Sequence, residues 1–176
     1  TVHGIVTGYG GAVTVRSAVG EGSVFEIYLP QMAAEIPVES AIEELPGAGS
    51  ERILFVDDDP DLSQMVGMML HQLGYRVDVF TNSLAAFEAF CANPDSYDLV
   101  IVDQIMPHLM GVELAKRILQ TRPGFPVFLL TGYSEGITPE QARELGIREF
   151  IMKPFSTREL GGLIRKTLDA VAARRN

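Results

Sequence analysis

The residues of this chain that could do chemistry fall into four short motifs. Asp57-Asp58-Asp59-Pro60 closes one apolar run, Asp103 stands alone at the end of a second, Thr131-Gly132 closes a third and Lys153-Pro154 a fourth. A buried strand does not normally end in a lone carboxylate unless something nearby pairs with it. Gathered in one place, Asp57, Asp58 and Asp103 would repel one another, which calls for a hard divalent cation. Magnesium suits, because it accepts one or two carboxylates and keeps several waters and a phosphate oxygen. Lys153 supplies a point charge and Thr131 a hydroxyl donor. Together they put positive charge and hydrogen bonds where charge spreads in a phosphoryl-transfer transition state. Asp103 is then the natural nucleophile, forming an aspartyl phosphate.

The elements that must position these groups follow from periodicity. Short apolar runs at 53–56, 75–80, 98–103, 125–130 and 148–152 read as strands. Between the first two, Pro60 opens a helix whose acids complement its positive end, with Met65, Val66, Met69, Leu70 and Leu73 as its apolar stripe and Gly74 as its stop. A helix over 83–92 carries Cys91, read as a small core residue. Leu114, Ala115, Ile118 and Leu119 mark the next helix. Capping boxes at Thr138-Pro139-Glu140-Gln141 and at Ser156 with Glu159 open the last two. Strand and helix alternate five times, which predicts an α/β fold: a doubly wound, five-stranded parallel sheet with helices on both faces. In strand order 2-1-3-4-5, strands 1, 3, 4 and 5 are neighbours, and their carboxyl ends meet at one crevice.

The motifs V-D-D-D-P, D-Q-I-M-P-H-L-M-G, L-L-T-G-Y and I-M-K-P-F, in this order, carry a resemblance. Residues 52–172 resemble the receiver domain of two-component response regulators, which has the flavodoxin-like fold, and the domain is placed at 51–174. The resemblance implies that Asp103 is the phosphoacceptor and that Asp57, Asp58, Asp103 and the Ile105 carbonyl hold Mg2+. It implies that Thr131 and Lys153 are the phosphate-sensing hydroxyl and the lysine of the site, and that Phe150 is the switch aromatic coupled to Thr131. A cis Lys153-Pro154 peptide is part of the same pattern. The implied partners are a histidine kinase or a histidine phosphotransfer protein, with a second copy of the chain as a further one, through the face of residues 138–171. Asp59 is read as a helix-start acid only, and His108 and His3 as structural or inert. Ile105 and Tyr133, each two residues beyond a site residue, are bulky and are expected to limit the approach of water and tune the phosphoryl lifetime.

The first fifty residues differ in character. They hold one basic residue, Arg16, against six acids, while the chain as a whole has a net charge of −9. An acidic chain lacks the basic face that nucleic-acid backbones require. No run is apolar enough to span a membrane, so no membrane contact is expected of this stretch. The single cysteine fits a cytoplasmic setting, with a parent kinase that can itself be membrane-anchored. Residues 2–9 read as the end of a helix stopped by Gly10-Gly11, and 12–17 and 23–29 as a hairpin around Gly20-Glu21-Gly22. The run T-V-H-G-I-V…G-G…G-E-G-S-V-F-E-I-Y-L-P, residues 1–30, resembles the C-terminal end of the ATP-binding domain of bacterial sensor histidine kinases. That family's nucleotide boxes and phosphorylatable histidine are absent, so ATP binding by this chain is not expected. Residues 31–50 read as a linker, with a short helix at 39–45 as the alternative. The helix and hairpin are too small for a core of their own, and residues 1–50 are expected to be loosely packed or paired with another chain.

The architecture implied is the receiver of a hybrid histidine kinase. Two other classes compete with it. An aspartyl-nucleophile phosphohydrolase would carry Asp-x-Asp on the nucleophile strand, where this chain has Asp103-Gln104-Ile105. A protein-interaction module that has lost phosphorylation would not need all five key positions intact.

Overall fold

The computed structural model of the chain describes residues 2–30, 49–132 and 136–175. They belong to two units, 1–42 and 43–176. The linker over 31–48, the alternative helix at 39–45 and Tyr133 lie outside the described residues.

In the first unit, helix α1 (Val2–Gly8) leads into strands β1 (Ala12–Ala18) and β2 (Gly22–Tyr28). The strands pair antiparallel, Ala12 opposite Tyr28 and Ala18 opposite Gly22. Glycine is required at the corner: Gly10 has φ of 72°, and a Cβ on Gly11 would lie 2.4 Å from the Tyr28 carbonyl oxygen. Arg16 and Glu26 form an ion pair of 2.8 Å across the strands. Val15, Phe25 and Ile27 are exposed, and Val6 is the one buried residue among those described in this unit.

The second unit runs β3 (Arg52–Val56), α2 (Pro60–Gln72), β4 (Arg76–Phe80), α3 (Ser83–Ala92), a 3-10 turn (Pro94–Ser96), β5 (Leu99–Asp103), α4 (Gly111–Thr121), β6 (Val127–Thr131), α5 (Pro139–Glu144), β7 (Glu149–Met152) and α6 (Thr157–Arg175). All pairings are parallel, in the order β4-β3-β5-β6-β7. That is the order 2-1-3-4-5 expected of a doubly wound sheet.

Both sheet faces are covered, so the central strands are buried throughout and alternate residues feed two cores. Leu54, Val56, Val100, Val102, Val127 and Leu129 pack against α3, α4 and α5 through Ala86, Phe90, Leu114, Ala115, Ile118 and Ala142. Ile53, Phe55, Leu99, Ile101, Phe128 and Leu130 pack against α2 and α6 through Val66, Leu70, Leu160, Ile164 and Leu168. The helices begin where the side chains said they would. The Asp59 carboxylate accepts the Asp61 and Leu62 N–H groups to cap α2. Thr138 and Gln141 form the reciprocal box on α5, and Ser156 and Glu159 do so ahead of α6.

Two expectations about helix faces fail. Cys91 is exposed, because the inward stripe of α3 is Ser83, Ala86 and Phe90, and the residue after Phe90 is turned about 100° away from it. Met65 is 55% exposed, because α2 buries Ser63, Val66, Gly67 and Leu70 instead. Gly67 has the reason of close approach, since a Cβ there would lie 3.0 Å from Val79. The Lys153-Pro154 peptide is cis. No described helix is long and apolar enough to cross a membrane.

Candidate functional site

β3, β5, β6 and β7 end side by side, and each delivers one polar residue at its carboxyl edge. Asp57 follows β3, Asp103 ends β5, Thr131 ends β6 and Lys153 follows β7. Asp57, Asp103 and Thr131 are all buried.

Lys153 joins the two carboxylates. Its ammonium donates to Asp57 Oδ2 at 2.8 Å and also to Asp103 Oδ1. The second oxygen of each acid is held by backbone: Asp57 Oδ1 accepts the Asp59 N–H at 3.0 Å, and Asp103 Oδ2 accepts the Ile105 N–H at 2.9 Å. Ser63, in the first turns of α2, donates to the Asp57 carbonyl at 2.7 Å. The acids are therefore fixed in orientation by bonds that a flexible surface carboxylate lacks.

Burial pushes the Asp103 carboxyl above the usual 3.8, against the pull of the Lys153 hydrogen bond, and the Asp57 charge adds to the rise. Burial works against the charge on Lys153, but its bonds to Asp103 and Asp57 outweigh that and raise it above 10.5. The centre thus holds a permanent cation between two acids, one of which is reluctant to ionise.

The other expected residues are placed as follows. Thr131 is tied to Lys153 through the backbone, its carbonyl accepting the Lys153 N–H at 2.7 Å, and its hydroxyl donates to the Gly132 carbonyl at 3.2 Å. Phe150 lies opposite Leu129 on β7, and with Thr131, Ile137 and Met152 it lines a cavity of about 620 Å³. Asp58 is exposed and is not among the groups bound to Lys153. The Ile105 side chain is 55% exposed at the rim. His108 is exposed in the loop after β5 with φ of 69°, and His3 is exposed on α1.

Among the described residues no three His, Cys, Asp or Glu side chains meet as a metal centre. A hard cation that completes its shell with water does not need three, however. Asp57 and Asp103 already share one cationic group, and carboxylate and carbonyl oxygens are the donors that Mg2+ prefers. The residues present fit that ion.

Three contributors carry no motif signal of their own. Gly111 opens α4 against the site: a Cβ there would lie 2.1 Å from the Asp103 carbonyl oxygen. Its place at the end of D-Q-I-M-P-H-L-M-G is the only sequence hint of that contact. Ser83 donates to the Pro107 carbonyl at 3.2 Å and steadies the same loop, and Gln104 is buried beneath it.

A doubly wound parallel sheet with an acid–lysine–acid centre at its carboxyl edge defines a flavodoxin-like α/β domain with a site suited to phosphoryl groups. The family profile described as the response regulator receiver domain matches residues 53–165. The sensor kinase CckA of Brucella abortus is 28% identical over 178 residues, taking in 96% of this chain and 19% of that protein. A response regulator receiver domain protein from Clostridium thermocellum superposes with a TM-score of 0.67 at 27% identity, over 70% of this chain and 98% of that one. The response regulator TrrA of Thermotoga maritima, solved in complex with Mg2+-BeF, does so with a TM-score of 0.60 at 32% identity, over 67% and 98%. The chain belongs to the response regulator receiver domain family. It therefore carries a receiver domain of two-component phosphorelay signal transduction, and the phosphohydrolase reading is not favoured. The chain spans about half the length of several curated regulators that it matches.

Proposed function

We propose that this chain accepts a phosphoryl group on Asp103 from the phosphohistidine of a histidine kinase or a histidine phosphotransfer protein. The observation that carries the reading is the Lys153 ammonium between two buried carboxylates at the sheet's carboxyl edge. An Asp103 carboxylate oxygen bonds to phosphorus as the bond from phosphorus to the imidazole nitrogen breaks, and the freed imidazole takes up a proton. Lys153 balances charge on the phosphoryl oxygens, and Thr131 turns its hydroxyl from the Gly132 carbonyl towards one of them. Asp57, Asp58 and Asp103, with the Ile105 carbonyl, are the groups that would hold Mg2+. When bound, that ion neutralises charge on the transferred group.

Movement of Thr131 opens the cavity that it shares with Phe150, and Phe150 packs inward in response. The face of residues 138–171 then changes its affinity for a partner or a second copy of the chain. Ile105 at the rim and Tyr133 slow the attack of water on the phosphoryl group. The parent protein is a hybrid histidine kinase with its receiver in the cytoplasm, and residues 1–30 are the tail of its ATP-binding domain. The alignment with CckA over 96% of this chain supports that context.

The test is intact-protein mass after incubation with acetyl phosphate. One phosphoryl adduct is expected, needing Mg2+ and missing from Asp103→Asn. An adduct that survives the substitution, or no adduct at all, overturns the assignment.

A further inference from the structure

Gln104 is 2% exposed, and no motif gives it a role. A buried amide must find partners, and those of Gln104 among the described residues border the site. Its backbone N–H donates to the Leu130 carbonyl on β6 at 2.8 Å, and its carbonyl accepts the Gly111 N–H at 3.0 Å. Its side-chain Oε1 accepts the Val112 N–H at 3.1 Å. Helix α4 needs that acceptor, because its N-cap residue, Met110, supplies no side-chain hydrogen bond. The cap is supplied from the residue next to Asp103 instead.

The contact runs both ways. Gly111 sits on the Asp103 carbonyl so closely that no side chain fits between them. The peptide following Gln104 carries the Ile105 N–H that holds Asp103 Oδ2. Turning Gln104 out would take a bond from the first turn of α4, beside the backbone donor that, among the described residues, holds Asp103 Oδ2.

We infer that Gln104 is a positioning residue: by capping α4 with its side-chain oxygen, it fixes the Ile105 N–H and so the attack direction of the Asp103 carboxylate. This rests on the reading of Asp103 as phosphoacceptor. Its geometry, however, is read without any phosphoryl chemistry. Gln104→Met keeps the size and removes the acceptor. Met110→Ser in that background restores a cap at the ordinary position, where Met110 already has extended backbone, φ −64° and ψ 152°.

The experiment measures hydrogen exchange at the Val112 and Ile105 amides, together with the rate of adduct formation from acetyl phosphate. In Gln104→Met both amides are expected to exchange faster and uptake to slow about fivefold, with strand β5 amides unchanged. The double variant is expected to recover all three. Faster exchange at Val112 alone, or unchanged uptake in a protein whose wild type forms the adduct, overturns the inference. So does failure of Met110→Ser to restore Ile105. A wild type without an adduct defeats the phosphoacceptor reading, while the two amides still decide the role of Gln104. If Gln104→Met does not fold, Gln104→Glu, which keeps the acceptor at the same reach, is expected to hold both amides protected. Loss of protection there as well overturns the proposal.

Discussion

At Lys153 two carboxylates compete for one ammonium, and the balance among the three sets how this centre responds to pH. Burial raises Asp103, so between its usual value of 3.8 and its higher native value the folded chain holds a proton that the unfolded chain has lost. Stability contributed by this group therefore falls as pH rises through that window. Asp103→Asn removes the fall. In metal-free buffer at pH 7 the variant is expected to be more stable than wild type by about 1 kcal/mol, roughly 2–4 °C in midpoint. The gain should vanish below pH 3.8, where wild-type Asp103 is neutral too. Denaturant titrations across pH 3–8 check this, and equal stabilities at every pH would contradict it. Magnesium acts in the opposite sense on wild type, because a ligand of the folded state alone stabilises it by mass action. Asp57→Asn should lose that increment along with the adduct.

Helices here start from two kinds of cap, and the difference decides what a sequence can reveal. Asp59, Thr138 and Ser156 act on N–H groups two or three residues ahead, so their role is written in adjacent letters. Asp59→Ala should cost about 1 kcal/mol in a denaturant melt and leave the phosphoryl adduct intact, since Asp59 touches neither Lys153 nor Asp103 through its side chain. The cap of α4 comes from Gln104, eight residues before Val112, across a loop whose path no local pattern encodes. The strands, their order and the convergence of Asp57, Asp103 and Lys153 were legible because runs of apolar residues ending in polar ones are periodic signals. The faces of α2 and α3 were less so. Met65 and Cys91 sit among apolar neighbours, and only packing selects Val66 and Phe90 for the interior. Phe90 is the clearest such choice: it lies 5.2 Å edge-on from the Phe125 ring and 6.2 Å from Tyr97. Phe90→Ala should cost about 3–5 kcal/mol, whereas Cys91→Ser on the exposed face should cost under about 0.5 kcal/mol.

On the scale of the whole molecule, the start of the second unit is tied to its end. Gly49 donates to the Leu73 carbonyl at 3.1 Å, and a Cβ at Gly49 would lie 2.0 Å from the Tyr75 ring. The Glu51 carbonyl accepts the Arg76 N–H at 2.9 Å, and its carboxylate takes Arg165 of α6 at 2.6 Å. Arg165 reaches on to Asp169 at 2.9 Å. The chain thus enters the sheet already fastened to α2, β4 and α6, at the edge opposite the carboxylate–lysine centre. The hydrogen bond from Arg165 holds the Glu51 carboxyl below its usual 4.5, so the stability it contributes is present above that value and is lost as pH falls through the lower native one. Arg165→Ala should lower stability at pH 7 by about 1 kcal/mol, as both partners are only about a quarter exposed. That deficit should shrink in acid as wild-type Glu51 protonates. Gly49→Val should speed exchange at the amides of residues 49–52 while leaving adduct formation at wild-type rate, because the fastening and the chemistry occupy opposite edges of the sheet. If uptake by Asp103 slowed in step with the loss of this fastening, the two edges would instead be coupled through the strands.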